Sequence, residues 1–164
     1  MDYRDQPPPH RGREAAQRIN EIRDRFEWTR APGIGPSLSI LGDLRDKHVI
    51  EVGCGGGHNL AHLVAFHGAC GVGIDHDSAK IERACRTYGM VANLAFVEAE
   101  ASAYMRAQPH ASIDICLSIF GAFSFSAPAP LTVGVAHALR SGGLLAMTFR
   151  KSDTTDMVFI LQRR

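Results

Sequence analysis

No stretch of this 164-residue chain approaches the roughly 20 consecutive apolar residues of a membrane-spanning helix, and the amino terminus, Met1-Asp-Tyr-Arg-Asp-Gln6, has no apolar signal core. Neither a membrane partner nor secretion is expected, and the default location is cytoplasmic. Blocks of Lys or Arg are missing too, as is any interleaving of aromatic with basic residues. With 18 Lys and Arg against 17 Asp and Glu the formal net charge is +1, so no nucleic-acid partner is expected. The four cysteines, Cys54, Cys70, Cys85 and Cys116, lack a C-x-x-C pair and fall mostly in apolar patterns. Buried thiols are expected in preference to disulfides or a metal site. What is present, 45% hydrophobic residues over 164 positions, suffices for one sizeable core and falls short of two ordinary domains.

The most informative segment is Val49-Ile-Glu-Val-Gly-Cys-Gly-Gly-Gly-His-Asn-Leu60, an apolar strand running into a glycine turn and the start of a helix. Gly53, Gly55 and Gly57 carry no Cβ to hold a ligand off the backbone, and their N–H groups, with the helix start at His58, can face polar ligand atoms. A dinucleotide fingerprint G-x-G-x-x-G beginning at Gly53 requires a glycine at position 58, where this chain has His58. The pattern is instead E-x-G-x-G-x-G, led by Glu51.

Around this segment strands and helices alternate. Pro7-Pro-Pro9 belongs to a disordered lead, and Ala15, Ile19, Ile22 and Phe26 mark one face of a helix through about residue 26. Trp28 to Pro36 is rich in breakers and reads as a loop before a short helix near Ser37 to Leu44. Residues 1–36 are therefore an appendage, and 37–164 the main domain. Strands are expected at Val49 to Val52, Val72 to Asp75, Leu94 to Val97, Ile113 to Ser118 and Leu144 to Arg150. Between them, one helix carries Leu60, Leu63, Val64 and His67 on a face. The next carries Ile81, Ala84, Cys85 and Tyr88, with Glu82 and Arg86 paired outside. A third runs near Ser102 to Ala107, and a fourth is capped by Ser126, with Pro128 and Pro130 in or near its first turn. The alternation predicts an α/β fold, doubly wound and mostly parallel, with ligands at the carboxyl ends of the strands.

The order of these segments resembles class I S-adenosylmethionine-dependent methyltransferases over roughly residues 37 to 150. Glu51 with the glycine turn is similar to motif I of that family, and Gly71-Val-Gly-Ile-Asp75 to its following acidic loop. Phe96-Val-Glu-Ala-Glu100-Ala101 resembles the third-strand acidic loop, Ile113 to Ser118 the fourth strand, and Leu139-Arg-Ser-Gly-Gly-Leu144 the turn into the fifth. The resemblance implies a Rossmann-like sheet, S-adenosyl-L-methionine as cofactor, no metal, and methyl transfer to an O, N or C atom of a small-molecule acceptor. Glu51 would order the turn and the amino-acid end of the cofactor, and Gly53, Cys54, Gly55 and Gly57 would admit it. Asp75 would accept from both ribose hydroxyls, His76 would pack beside the adenine, and Glu100 with the Ala101 amide would read its edge. Ser118 ends a strand toward the cleft.

Each position also has a simpler reading. Glu51 is then a strand-end carboxylate, Asp75 a helix N-cap, Glu100 part of a solvated acidic loop, Cys54 a small residue filling the turn and Ser118 a strand terminator. His58 is the histidine to test first as a base. Phe120, Phe123 and Phe125 are candidates for an acceptor wall or for core. The segment Trp28 to Pro36 is similar to the approach in bacterial small-molecule methyltransferases, and would contribute to the acceptor site with the N-terminal helix. Where the family has an Asn/Asp-Pro-Pro-aromatic motif in its nucleic-acid amine branch, this chain has Ser118-Ile-Phe-Gly121, which disfavours adenine or cytosine methylation.

The carboxyl end departs from the family. Only Ser152 to Asp156 separate Arg150 from Met157-Val-Phe-Ile-Leu-Gln162, so a hairpin is expected, with Met157 to Gln162 antiparallel beside the fifth strand and the family's intervening helix and strand missing. That departure motivates a second hypothesis, an inactive cofactor-binding or protein-interaction module; a homodimer would cover the exposed edge strand. A nicotinamide dehydrogenase is disfavoured by the glycine spacing and by the absence of an evident Tyr-x-x-x-Lys pair.

Overall fold

The structure is a computed structural model that describes residues 22–125, 128–151 and 155–164. The Pro7–Pro9 lead, the helix positions Ala15 and Ile19, and the Ser126 cap lie outside the described residues.

A six-stranded sheet is built from β1 (His48–Val52), β2 (Cys70–Asp75), β3 (Leu94–Glu98), β4 (Ile113–Ile119), β5 (Leu139–Arg150) and β6 (Asp156–Gln162), in the spatial order β3-β2-β1-β4-β5-β6. Every pairing is parallel except that of β5 with β6. Among the described residues four α-helices cover the sheet: α1 (His58–His67), α2 (Ser78–Tyr88), α3 (Ala101–Ala107) and α4 (Pro128–Ala138). The fold is thus the expected Rossmann-like one with a C-terminal antiparallel strand. β1 and β4 are mostly apolar and buried nearly throughout, with no alternation, because both of their faces are covered.

On one face, Leu60, Leu63 and Val64 of α1 pack with Val49, Ile115, Leu117, Phe26 and Trp28. On the other, Met105 of α3 and Leu131 and Val135 of α4 pack with Ile50, Val52, Cys116 and Leu145. α2 begins at Asp77, whose side chain accepts from the Ala79 and Lys80 amides at 3.0 and 3.2 Å. It buries Ile81, Ala84 and Tyr88, and Arg86 donates to Glu82 outside at 2.8 Å. Cys85, expected on the inward face, is exposed, because the buried stripe is centred between Ile81 and Tyr88 and Cys85 stands on its flank. On α1, His67, expected on the apolar face, is exposed, and His62 is buried with its Nδ1 donating to the Arg23 carbonyl at 2.9 Å.

The expected N-terminal helix does not include residues 22–26, which form bends. The backbone of this segment is engaged elsewhere. Asn59 of α1 accepts from the Glu27 amide at 3.0 Å and donates to the Glu27 carbonyl at 2.9 Å, and with His62 it holds the chain extended across α1. Trp28, 3% exposed, packs in a tilted arrangement on Phe26 with ring centroids 4.7 Å apart, and Arg30 pairs with Asp156 of β6 at 2.8 Å. The helix expected near Ser37 to Leu44 is a single 3-10 turn, Leu38–Leu41, capped by Ser37 and ended at Gly42.

β5 starts at Leu139, five residues before the sequence places it. The segment expected as a turn pairs instead: Gly142 N–H donates to the Arg163 carbonyl and Arg163 N–H to the Gly143 carbonyl, both at 2.9 Å, while the register against β4 shifts between Ile113 and Ile115. β6 occupies the slot beside β5 directly, in continuous antiparallel register from Arg150↔Asp156 to Leu144↔Gln162.

Candidate functional site

The strand order reverses between β1 and β4, and a cleft of about 450 Å³ opens at their carboxyl ends. One wall is the turn after β1 with Gly53, Cys54 and Gly55, a second is the end of β2 with Asp75 and His76, and a third is Glu100 and Ala101 at the start of α3. The loop after β4, Ile119 to Ala122 with Phe125, closes it. Seven of the ten sequence-nominated positions, Gly53, Cys54, Gly55, Asp75, His76, Glu100 and Ala101, therefore line one cavity. Glu51, Gly57 and Ser118 stand behind its lining.

The glycines differ in what demands them. Gly53 sits at φ +78° with its N–H bonded to the Ile74 carbonyl, and a Cβ there would lie 2.4 Å from the Ala122 nitrogen, so this position lets the β1 turn touch the β4 loop. Gly55 sits at φ +56° with nothing within 4 Å of a Cβ position; the space there belongs to the cleft. Gly57, the α1 N-cap, is excluded from carrying a side chain by Phe96 at 2.4 Å.

Asp75 is 5% exposed and ties the turn to β2: Oδ2 accepts from the Gly55 amide and Oδ1 from the Asp77 amide, both at 3.0 Å. It is not the N-cap of α2, a role taken by Asp77. Each oxygen of Asp75 keeps a second lone pair for a further donor. His76, whose side chain is 82% exposed, stands with Nδ1 3.6 Å from Asp75 Oδ1 at the rim. Glu100 is the N-cap of α3, accepting from the Ser102 amide at 2.8 Å and the Ala103 amide at 2.7 Å. The Ser102 amide bond is the main influence holding its carboxyl below the usual carboxylate range.

Glu51 is 3% exposed and its Oε2 has no hydrogen-bond partner. Burial pushes its carboxyl up to about 8; the Leu60 amide in the first turn of α1 opposes that rise, and the charge of Asp75 adds to it. It stands beneath the turn, between β1 and the start of α1. The Cys54 thiol is likewise raised by burial, as expected for a residue filling space in the turn. Ser118 is fully buried and accepts from the Phe123 amide at 3.3 Å, bracing the loop. Phe123 is core, whereas Phe120 and the 83% exposed Phe125 line the cleft. His58 is turned to Tyr88, with Nδ1 2.6 Å from the phenol oxygen, and lines no part of the cleft. Trp28 and its loop do not reach the cleft either.

Sequence reasoning did not nominate Gly121 or Lys80, which also line the cavity. A Cβ on Gly121 would lie 2.2 Å from the Val52 carbonyl oxygen, so the β4 loop approaches β1 backbone to backbone. Its signal was a glycine directly after an apolar strand. Lys80 is placed by the Asp77 cap, within the first turn of α2.

A profile of the methyltransferase domain matches residues 49–143, from β1 into β5. The chain belongs to this methyltransferase family. The methyltransferase domain uses S-adenosyl-L-methionine, and its residues fit that cofactor: an open glycine turn, a carboxylate at the end of β2 and an unpartnered buried carboxyl oxygen beneath converge at one cleft. Among solved structures, the domain is similar to YcgJ from Bacillus subtilis at 22% identity, TM-score 0.59, covering 67% of this chain and 47% of that one. It is similar to phosphoethanolamine N-methyltransferase 2 of Haemonchus contortus, solved with S-adenosyl-L-methionine, at 18% identity and TM-score 0.62, covering 68% and 26%. A TehB-like S-adenosylmethionine-dependent methyltransferase from Corynebacterium glutamicum matches at 20% identity and TM-score 0.59, covering 88% and 76%. The matched region spans about half the length of YcgJ and a quarter of the nematode enzyme. A search of curated protein sequences finds no significant match. No helix among the described residues is long and apolar enough to cross a membrane.

Proposed function

We propose that this methyltransferase domain transfers the methyl group of S-adenosyl-L-methionine to an O, N or C atom of a small molecule. The observation carrying this reading is the convergence of the Gly53–Gly55 turn, Asp75 and the Glu100–Ala101 helix start on one cleft at the strand-order switch. The sulfonium methyl is already an activated electrophile, so the chain's task is to hold the cofactor and align the acceptor. In this reading the free lone pairs of Asp75 accept from the ribose hydroxyls, the adenine lies between His76 and the Ala101 amide, and the amino-acid end lies over the turn that Glu51 braces. Phe120, Ile119, Ala122 and Phe125, on the β4 loop, offer the acceptor an apolar wall. Glu100 acts chiefly by fixing the start of α3, both of its oxygens being engaged in the cap.

A second reading is cofactor binding without transfer. It is favoured by the engagement of both carboxylates lining the cleft with backbone amides, which leaves neither of them free as a general base. Calorimetric titration with S-adenosylmethionine and S-adenosylhomocysteine, with NADH and an Asp75→Ala variant as controls, tests what the two readings share. Micromolar binding of both adenosyl ligands, lost in the variant and absent for NADH, is expected. A folded protein that binds neither ligand refutes the assignment. An acceptor screen on the binding-competent protein then separates transfer from binding alone.

A further inference from the structure

We propose that the outer edge of β6 pairs with β6 of a second copy of the chain, antiparallel about a two-fold axis at Phe159. Among the described residues no strand lies beyond β6, which ends the sheet as a seven-residue strand in unbroken register. It contains no proline, no lysine and no bulge, the devices that commonly keep an exposed edge from pairing.

The phase of the exposed backbone is fixed by the bonds β6 makes on its inner side. Arg163 exchanges both of its backbone bonds with Gly142 and Gly143. Alternate residues of an antiparallel strand face the same neighbour, so Met157, Phe159 and Leu161 also turn their backbone groups to β5. Those of Asp156, Val158, Ile160 and Gln162 face outward. The side chains tell the same story. Met157, Phe159 and Leu161 are 37%, 38% and 52% exposed, on the same sheet face as their β5 partners Phe149, Met147 and Leu145. The apolar side chains on this face therefore continue from the covered Leu145 and half-buried Met147 and Phe149 of β5 to exposed ones on β6 at the open edge.

Antiparallel self-pairing centred on Phe159 sets Val158 opposite Ile160, Asp156 opposite Gln162 and Met157 opposite Leu161. The hydrogen-bonded pairs fall on the residues whose groups face outward, and the apolar strip of each copy continues into the other. Charge decides the direction. Each strand carries Arg163-Arg164 just past one end, whereas Asp156 at the other end is already paired with Arg30. A parallel pair would set the two arginine ends side by side. The antiparallel pair separates them by roughly 25 Å, the eight-residue offset from Arg163 to its counterpart. The arrangement is isologous and closes at two copies.

The test is the mass of the full chain in solution, by sedimentation equilibrium over a range of concentrations. A dimer is expected, and Met157→Lys or Leu161→Glu alone should weaken it about tenfold or more by placing a charge in the apolar strip. The combined variant sets each introduced lysine opposite an introduced glutamate across the axis and should recover most of the loss. Both positions are exposed and no β6 residue lines the cleft, so S-adenosylmethionine titration of the same variants should match the parent and report that the fold is intact. A monomer at every concentration overturns the proposal, as does a dimer indifferent to both single substitutions. A combined variant no better than its parents overturns the register.

Discussion

Replacing Glu51 by glutamine should make the cofactor-free protein more stable at pH 8 than the parent, while leaving the two nearly equal at pH 5. The carboxyl is almost fully buried with Oε2 unpartnered, and burial raises it from an ordinary 4.5 to about 8. The unfolded chain releases this proton near 4.5 and the folded chain retains it until about 8, so across that window the folded state binds more protons. Stability must therefore fall as pH rises through the window. The gap corresponds to a ceiling of about 5 kcal/mol at roughly 1.4 kcal/mol per pH unit. Glutamine has nearly the same shape, keeps an oxygen to accept from the Leu60 amide, and does not ionise. Urea unfolding of parent and variant at pH 5, 6, 7 and 8 reads the difference directly. The expectation is a gap that opens with pH in favour of the variant by a few kcal/mol. Parallel stability curves, or a variant weaker than the parent at pH 8, would refute the argument that Glu51 is held as a buried neutral acid.

The glycine turn offers a paired contrast. Gly53→Ala forces a Cβ to 2.4 Å from the Ala122 backbone at φ +78° and should lower stability by ~3 kcal/mol or more, visible as a depressed Tm. Gly55→Ala meets no protein atom and carries only the left-handed backbone penalty of ~1–2 kcal/mol, so it should fold, yet lose S-adenosylmethionine affinity by calorimetry because its methyl enters the cleft. Among the thiols, Cys85 should react first with a chromogenic disulfide reagent. Cys54 and Cys116 should stay silent until denaturant is added, being buried, with the Cys116 thiol pushed up to about 12. Glu100→Ala removes the α3 cap and should cost about 1 kcal/mol in urea unfolding.

Much of the sheet was legible because strands buried on both faces spell mostly apolar runs, and the glycine turn announces where β1 stops. The readings that went astray share a cause: the deciding partner is distant in sequence. Residues 22–26 carry part of a helical pattern, yet His62 takes the Arg23 carbonyl and Asn59 takes both backbone groups of the adjoining Glu27, each more than 30 positions away. Leu139 to Leu144 has the composition of a turn, but Arg163 supplies it with a strand partner. In the cleft, spacing brought together Gly53, Gly55 and Asp75 because each lies at the end of an adjacent strand. It gave no hint that Asp75 bonds the Gly55 amide, that Gly57 is reserved for Phe96, or that Glu100 is consumed by a cap. The need for Gly121 was hidden for a similar reason, since its constraint comes from the Val52 carbonyl on the neighbouring strand.

The departure at the carboxyl end and the cleft occupy different parts of the sheet. Every residue lining the cleft comes from the ends of β1, β2, β3 and β4, the first turns of α2 and α3, or the loop after β4; none comes from β5 or β6. Moving an antiparallel strand directly beside β5 therefore leaves the cofactor side unaltered. It leaves exposed apolar side chains on β6 beside a backbone edge that no strand among the described residues covers. The two features also draw on different physics. The cleft depends on left-handed glycines and backbone amides held by Asp75, so a single methyl group disturbs it, whereas the edge depends on area and register, where a single charge does. The open edge at β6 is thus compatible with the proposed methyl transfer at β1, and the proposed pairing of two copies leaves the cleft of each untouched.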